Sequence, residues 1–371
     1  MADLRRAAEA KDSQDLGWAR FPETEDRIAY GRFRNVYLYI TEECQLRCAH
    51  CYMGDRLDRA TIMPLDEVRS TLQAWRLLGG SKLTLLGGEP TLHPQFEECV
   101  QVAYETGFEK IILDSNGLKQ SRKKISKIPP KYINYVQISL DGGTADTHDL
   151  VRGKNTFNYT IETAKILASL GHDTRLICTV SKKNMEDCLK LIDIADEAGI
   201  SLVKYHVFSA IGAGGENADW AMTPQEWLDF VEVMKAYRRE DHRTQIWFQP
   251  TFARKDQLGI YQEKGYRGCV GKTMDRISIF PDGRCYICSY LFDTDLHFAE
   301  MENGNIKLNK KENEFDLFLS TLTSSPCGSC GDSGGCGGGC PAEVVVEGAA
   351  ACETDSDIVS VCRLWKSDIV L

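Results

Sequence analysis

Three cysteines near residue 50 have a spacing that suits metal chemistry. Cys44, Cys48 and Cys51 form a CxxxCxxC pattern directly after a predicted strand. Three thiolates on one short loop can ligate three irons of a 4Fe-4S cube and leave the fourth iron open to a group that is not protein. The alternatives are three unrelated core cysteines or a structural zinc loop, for which only His50 stands nearby as a fourth ligand. An open iron would be a reaction site.

A second set of cysteines fills the C-terminal part of the chain, where nine of the fifteen cysteines lie between Cys269 and Cys362. The stretch from Cys327 to Pro341 holds seven glycines and four cysteines in fifteen residues. Such a stretch cannot build an apolar core, so we expect metal-thiolate bonds to order it. A flexible glycine linker is the alternative, although a linker does not need regularly placed cysteines.

Residues of types that can contact a ligand also follow three further predicted strands. They are Gly87, Gly88, Glu89 and Pro90 after the second strand, Ser115 and Asn116 after the third, and Ser139 and Asp141 after the fourth. The two glycines would let backbone approach a ligand closely, and the carboxylate of Glu89 would complement an ammonium group. Residues at the ends of barrel strands often contact ligands, but ordinary turns use the same residue types.

The elements that would position these residues alternate between strand and helix patterns. Six strands are predicted at Val36 to Ile40, Lys82 to Leu86, Lys110 to Leu113, Tyr135 to Leu140, Thr174 to Val180 and Leu202 to Val207. Helices are predicted at Leu65 to Leu78, Pro94 to Thr106, Thr160 to Leu170, Met185 to Ala198 and Pro224 to Ala236, with Gly107, Gly171 and Gly199 at three helix ends. The repeat predicts an α/β fold with a parallel sheet, open or barrel-like. After the last helix we expect the strand-helix rhythm to be lost, with a hairpin turn at Pro281 to Gly283.

Composition restricts the class of protein. The 371 residues are 43% hydrophobic and 26% charged with a net charge of -10, as in a soluble acidic protein without a basic surface for nucleic acid. No apolar stretch approaches the ~20 residues that span a bilayer. The segment Met1 to Asp15 mixes charges of both signs and predicts no secretory signal. We therefore expect a reducing cytoplasm, where a dense set of cysteines binds metal rather than forming disulfides.

The CxxxCxxC and GGEP motifs, in this order after two strands, resemble the radical S-adenosylmethionine (radical SAM) superfamily, and the resemblance covers most of the chain. It implies a partial (β/α)6 TIM-type barrel in which an electron from the cluster cleaves SAM to methionine and a 5'-deoxyadenosyl radical. That radical abstracts hydrogen from substrate, and Cys44, Cys48 and Cys51 are the catalytic cluster ligands. The resemblance assigns SAM contacts to Tyr52 at the adenine, to Gly87, Gly88, Glu89 and Pro90 at the amino group, to Ser115, Asn116, Ser139 and Asp141 at the ribose and methionyl part, and to Arg152 at the carboxylate.

The C-terminal cysteines resemble a SPASM domain, which carries two auxiliary 4Fe-4S clusters. The resemblance assigns Cys269, Cys288 and Cys340 to the first, and Cys327, Cys330, Cys336 and a late cysteine, Cys362 in preference to Cys352, to the second. Family members have another cysteine shortly before the position of Cys269, and this chain has none there. The fourth ligand of the first cluster is therefore Cys285 or no protein residue, and an open iron could bind substrate.

Two further points qualify the SPASM resemblance. A zinc ribbon of Cys285 and Cys288 with Cys327 and Cys330 is the competing interpretation, but it leaves the later cysteines unused. Sulfatase-maturing relatives carry an Asp base directly after the position of Cys288, where this chain has Ser289, so that activity is not expected.

The resemblance also implies a domain division and a function. An N-terminal extension (1–34) precedes the barrel (35–240) and the SPASM domain (241–371). The first hypothesis is modification of a ribosomally made peptide or protein by crosslinking, epimerisation or oxidation, with flavodoxin or ferredoxin as reductant and neither nucleic acid nor membrane as partner. The second is a small-molecule dehydrogenase, epimerase or decarboxylase of natural-product biosynthesis, because residues 1–34 are too few for a peptide-recognition domain. The third is a non-catalytic electron-transfer or zinc scaffold.

Overall fold

The computed structural model describes residues 33–263, 265, 268–292, 294–320, 340, 342 and 357–362. Its strands are β1 (Asn35–Tyr39), β2 (Lys82–Leu86), β3 (Lys110–Ser115), β4 (Tyr135–Ser139), β5 (Thr174–Val180), β6 (Leu202–Val207), β7 (Gln245–Phe248), β8 (Phe252–Arg254), β9 (Arg276–Ile279), β10 (Arg284–Tyr286), β11 (Ala299–Glu302), β12 (Asn305–Leu308) and β13 (Ile358–Ser360).

The α-helices between these strands are α1 (Arg56–Arg59), α2 (Leu65–Leu77), α3 (Phe96–Glu105), α4 (Lys119–Ile125), α5 (Ala145–Arg152), α6 (Phe157–Ser169), α7 (Leu191–Glu197), α8 (Pro224–Tyr237), α9 (Leu258–Glu263), α10 (Val270–Thr273) and α11 (Glu314–Ser320). Short 3-10 segments cover Pro90–Leu92, Pro130–Tyr132, Asp187–Lys190, Gly212–Trp220, Lys255–Gln257 and Ser289–Leu291. Across the described residues, no helix is long enough and apolar enough to cross a membrane.

Eleven of the described strands form one sheet, in the order β12-β11-β10-β9-β1-β2-β3-β4-β5-β6-β7. Strands β1 to β7 are parallel neighbours in chain order, each reached through a crossover connection. At the other side of β1, β9 also pairs parallel, and β10, β11 and β12 continue as an antiparallel meander. This is the predicted parallel α/β architecture of a TIM-type barrel.

Successive side chains of each strand point to opposite faces of the sheet, so one face packs against the helices and the other faces the inside of the barrel. One side chain in two, such as Leu83 and Leu85 of β2 or Val136 and Ile138 of β4, joins the main apolar core against the helices. The alternate side chains, such as Lys82 of β2 and Gln137 of β4, point toward the inside of the barrel. Helix packing thus uses the outer face of the sheet and leaves the inner face for a site.

The six predicted strands are confirmed to within two residues, and so are Gly107, Gly171 and Gly199 just beyond three helix ends. The expectation that the strand-helix rhythm stops after α8 is wrong, because β7 extends the parallel sheet beside β6. This strand is only four residues long and follows the polar stretch 238–243, which gives a weak strand signal. The predicted boundary after residue 240 falls just before β7, and the division into domains stays a prediction.

Candidate functional site

The cysteine loop, residues 44–51, follows β1 at the carboxyl edge of the parallel strands. Its backbone is held from two sides, because the Ala49 amide donates to the Val151 carbonyl at 2.8 Å and the Ala213 amide donates to the Cys51 carbonyl at 2.9 Å. The Asn217 side chain adds a bond from Nδ2 to the Ala49 carbonyl at 3.0 Å. The loop is therefore fixed by α5 and by the 3-10 segment Gly212–Trp220.

All three thiols of this loop line a cavity of about 760 Å³ inside the barrel. Burial raises the pKa of the Cys44 thiol to about 12 and that of the Cys48 thiol to about 11. Metal ligands must be thiolates, so these buried side chains suit a strongly positive partner such as iron. Within the described residues, no three His, Cys, Asp or Glu side chains are placed to bind a single metal ion. A 4Fe-4S cluster does not require such an arrangement, because each of its cysteine ligands binds a different iron.

The GGEP loop, residues 87–90, packs backbone against backbone on residues 41–43, which join β1 to the cysteine loop. The Gly88 amide donates to the Thr41 carbonyl at 2.9 Å, and the Glu89 amide donates to the Glu43 carbonyl at 2.7 Å. A Cβ on Gly88 would stand 2.3 Å from the Glu43 carbonyl oxygen, closer than real contacts allow. The glycines therefore bring the two loops together, in addition to the predicted approach to a ligand.

Glu89 is completely buried and accepts hydrogen bonds from both neighbouring loops. One carboxylate oxygen accepts from the Thr91 hydroxyl at 2.7 Å and the Ser115 hydroxyl at 3.0 Å, and the other accepts from the Asn116 amide at 2.8 Å. Burial raises the pKa of this carboxyl, while these donors oppose the shift. Glu89 thus joins the ends of β2 and β3 as well as lining the cavity.

Arg152, at the end of α5, is oriented by a buried acid. Its Nε donates to the Asp141 carboxylate at 2.5 Å, and His50 Nε2 lies 2.8 Å from the same oxygen. Burial alone would raise the pKa of Asp141, but Arg152 and His50 lower it well below its usual range. Arg152 Nη1 also lies 4.0 Å from Cys48 Sγ, which places this cation between the cysteine loop and the acid.

Most of the predicted SAM contacts meet in the one cavity. Its lining includes Cys44, Cys48, Cys51, Tyr52, Gly87, Gly88, Glu89, Ser115, Asn116, Ser139 and Arg152. Pro90 and Asp141 are not part of that lining: Pro90 begins the 3-10 segment behind the GGEP loop, and Asp141 lies behind Arg152. The hydroxyl groups of Tyr52 and Tyr39 are 2.9 Å apart, so Tyr52 is held against β1.

Arg56 is a buried residue of the site that the sequence did not reveal. It is completely enclosed, and it donates to Glu42 at 2.9 Å and to Asp282 at 2.7 Å while lying 4.0 Å over the ring of Phe280. These contacts connect the segment after the cysteine loop to the turn between β9 and β10. In the sequence, Arg56 is a single arginine within a charged stretch, and no motif indicates this role.

Four cysteines from separate parts of the chain meet in the core near β9 and β10: Cys269, Cys288, Cys340 and Cys362. A hydrogen bond with Cys362 and burial raise the pKa of the Cys269 thiol, and the charges of Cys288 and Cys340 add to this effect. Strand β13 pairs with β8 and brings Cys362 to this group. Buried Glu314 supports it by accepting hydrogen bonds from the amides of Ile287 and Cys288.

This grouping differs from the predicted assignment in two places. Cys362, which the resemblance assigns to the second auxiliary cluster, lies with Cys269, Cys288 and Cys340, which the resemblance assigns to the first. Cys285, the predicted alternative fourth ligand, is buried apart from them, with its thiol 3.4 Å from the Gly283 carbonyl and acids at 282, 300 and 314 as its charged neighbours. Cys285 lies on β10, which ends at Tyr286, whereas Cys288 follows the strand and directly precedes the 3-10 segment Ser289–Leu291. The predicted ligands Cys327, Cys330 and Cys336 lie outside the described residues.

Comparisons with known proteins agree with this geometry. Residues 38–195 match the radical SAM superfamily. Among curated proteins, it is 25% identical over 270 residues to the AdoMet-dependent heme synthase of Methanosarcina barkeri, covering 68% of this chain and 75% of the relative. It is 23% identical over 293 residues to a probable GTP 3',8-cyclase of Saccharolobus solfataricus, covering 76% of this chain and 92% of that one.

A solved structure extends the likeness of fold to almost the whole chain. SuiB of Streptococcus suis, bound to its precursor peptide SuiA, superposes with a TM-score of 0.69 at 17% identity, covering 96% of this chain and 86% of SuiB. At this identity the match concerns the fold alone.

Proposed function

We propose that this protein is a SPASM-type radical SAM enzyme that abstracts hydrogen from a ribosomally made peptide or protein and thereby crosslinks, epimerises or oxidises it. When bound, the cluster and SAM supply an electron transfer that splits SAM into methionine and a 5'-deoxyadenosyl radical. The observation that carries the proposal is that the three thiols, the GGEP loop and Arg152 line one cavity inside the barrel.

The chain's own residues have separate tasks in this proposal. Cys44, Cys48 and Cys51 hold the cluster at one side of the cavity. Arg152, held by Asp141, offers a fixed cation for the SAM carboxylate, a charge-assisted contact that arginine is well shaped to make. Glu89 and the GGEP backbone hold the side of the cavity assigned to the SAM amino group, and the enclosing strands exclude water from the reacting atoms.

For the auxiliary clusters we propose a changed ligand set. Cys269, Cys288, Cys340 and Cys362 hold the first, since these four meet in the core. Cys327, Cys330 and Cys336 hold the second together with a late cysteine, for which Cys352 then remains. The first auxiliary cluster is thereby closed by protein, without an open iron for substrate.

A peptide substrate is supported by the likeness to SuiB, which was solved with a precursor peptide. Ser289 and Tyr290, directly after Cys288, line the cavity and offer hydroxyl groups to a substrate. A small-molecule substrate is the second candidate, favoured by curated relatives whose names denote heme synthesis and GTP cyclisation. A flavodoxin or ferredoxin as reductant and a cytoplasmic location belong to the same proposal.

The function is tested by anaerobic incubation of reduced, reconstituted protein with SAM and deuterated candidate substrates, followed by mass analysis of 5'-deoxyadenosine. Deuterium in this product identifies the substrate and the position attacked. Absence of 5'-deoxyadenosine under all reducing conditions would exclude the radical mechanism.

The cluster assignment is tested by iron counts. Three filled 4Fe-4S clusters give about twelve irons per chain, and the Cys44, Cys48 and Cys51 triple-alanine variant keeps about eight. Cys362→Ala should lower the count, while the matched variant Cys285→Ala should keep it. About four irons in the wild-type protein, with zinc at the C-terminal cysteines, would contradict the proposal.

A further inference from the structure

The inner face of the barrel carries a set of cations at the end opposite the cysteine loop. These residues, called here the cationic end, are Lys82, Lys110, Arg175, Lys204, Arg243 and Arg276, and all line the same cavity. Layers of branched apolar side chains fill the interior of a closed TIM barrel. Six cationic side chains in that position are therefore a departure that packing does not explain.

The sheet register brings three of these cations side by side. Lys82 of β2 pairs in register with Lys110 of β3, and Asn35 of β1 lies between Lys82 and Arg276. These three cations stand on the first residues of β2, β3 and β9. The five steps along the chain from Lys82 to Gly87 span about 16 Å at about 3.3 Å per residue, so Lys82 lies well away from the GGEP loop.

Acidic side chains at this end are fewer than the cations. Among the described lining residues they are Asp114 and Asp173. Asp173 is bonded to Arg175 at 2.6 Å, and Asp114 accepts a hydrogen bond from Gln137. A surplus of positive charge therefore remains within the cavity.

Aromatic rings support several of these cations without neutralising them. Arg175, Lys204 and Lys110 lie 3.8, 4.9 and 5.3 Å from the centre of the Tyr135 ring. Three cations round one ring repel each other, and an anion placed among them would remove that repulsion.

Arg276 gives an independent indication of a ligand. Only 8% of this residue is exposed, and its guanidinium lies 4.0 Å over the Tyr37 ring. Its Nη2 donates to the Ser278 hydroxyl at 3.4 Å, but its Nε is buried and has no hydrogen-bond partner. A buried, charged donor without an acceptor is costly, and an oxyanion in the cavity would supply the missing acceptor.

We infer that the cationic end binds a multiply anionic part of the substrate, made of carboxylate or phosphate groups, and so orients the substrate along the barrel axis. The proposed function places the reaction in this cavity, and the inference adds the chemical class of the substrate that binds there. As a statement about the substrate, it rests on the proposed function. When the anionic part is bound near the first residues of the strands, the uncharged part of the substrate points toward the end of the cavity that is assigned to SAM.

The experiment measures binding of three probes to anaerobically reconstituted protein by calorimetry: tripolyphosphate, citrate and a hexaglutamate peptide. We expect at least one probe to bind, with an affinity that falls as salt is raised. Lys110→Gln with Lys204→Gln should weaken binding about tenfold or more, as expected for loss of charge-assisted contacts. Lys110→Arg with Lys204→Arg should retain most of the affinity, which separates charge from folding. The control Lys123→Gln, an exposed lysine of α4, should bind as the wild-type protein does.

The outcomes distinguish the sources of the anion. Preference for hexaglutamate supports an acidic peptide, and preference for tripolyphosphate or citrate supports a small polyanionic molecule. Failure of all three probes to bind at low salt, or binding that the two glutamine substitutions leave unchanged, would overturn the inference. Formation of 5'-deoxyadenosine by the wild-type protein is measured separately: its absence together with probe binding would reject the proposed function and leave the anion site standing.

Discussion

The two ends of the barrel interior are built in different ways. At the carboxyl ends of the strands, the site is made of short contiguous motifs whose backbones interlock, as when the Glu89 amide donates to the Glu43 carbonyl at 2.7 Å. At the amino ends, the cations come from single residues on or beside separate strands. In the proposed function the first end binds SAM, while single residues at the second end can change without altering the backbone contacts of the first.

The largest effect is expected at the carboxyl end. Replacing Cys44, Cys48 or Cys51 with alanine should abolish reductive SAM cleavage, because in the proposed function each thiolate holds one iron of the cluster. The measurement is 5'-deoxyadenosine formation under strong reductant. Cys99→Ala, a buried cysteine outside the cavity, is the control and should stay active. Undiminished product from any of the three variants would refute the assignment.

Gly88→Ala should be the next most damaging change. Its Cβ would stand 2.3 Å from the Glu43 carbonyl oxygen, so the two loops must separate. We expect a loss of about 3 kcal/mol in the free energy of unfolding, together with lower iron occupancy of the first site. The control is Gly215→Ala, where the nearest atom to the added Cβ is 3.8 Å away. Equal melting temperatures for the two variants would contradict the backbone contact.

Glu89→Gln tests whether this carboxylate contributes to SAM binding, to the stability of the fold or to both. The substituted amide must turn an NH2 group toward donors that now bond to Glu89, such as the Asn116 amide. We expect weaker SAM binding together with a loss of about 1–3 kcal/mol in stability. Denaturant unfolding and SAM binding are measured on the same variant. A variant of wild-type stability would show that the hydrogen bonds to this carboxylate contribute little.

The smallest predicted effect is a pH dependence at the cationic end. Burial lowers the pKa of Lys204 to about 7, repulsion from nearby cations adds to this, and Asp114 opposes it. The folded protein then binds fewer protons than the unfolded chain between about pH 7 and 10, so the contribution of Lys204 to stability rises with pH. Anion binding needs the charged form and should weaken as pH rises through 7. The charged or titratable groups around Lys204 are Lys82, Lys110, Asp114, Arg175 and His206.

The measurement is the ratio of tripolyphosphate affinities of the wild-type protein and Lys204→Arg between pH 6 and 9. Arginine stays charged over this range, so the titration of the probe itself cancels in the ratio. A several-fold fall in the ratio is expected, and a constant ratio would show that Lys204 does not titrate there. His206 does not interfere, because burial lowers its pKa to about 3.

The features that could be predicted from the sequence are those formed by residues close together in the chain. The CxxxCxxC and GGEP motifs and the six parallel strands could all be inferred, because side-chain periodicity and loop motifs are local properties. The role of Arg56 could not, because its partners Glu42 and Asp282 are brought together only by tertiary structure. The grouping of Cys362 with Cys269 depends in the same way on the pairing of β13 with β8. The cationic end needs the register of several strands before its residues become neighbours.

The pairing of β1 with β9 also affects how the chain assembles during synthesis. The contact from Arg34 to Asp275 joins residues 241 positions apart, so one side of β1 has no partner strand until the chain has been made almost to residue 280. Loop closure over such a distance is slow, and an unpaired strand edge is prone to aggregate meanwhile. The cysteine loop directly follows this late-completed strand. Delivery of iron and sulfide to the protein should therefore be productive only after most of the polypeptide has left the ribosome.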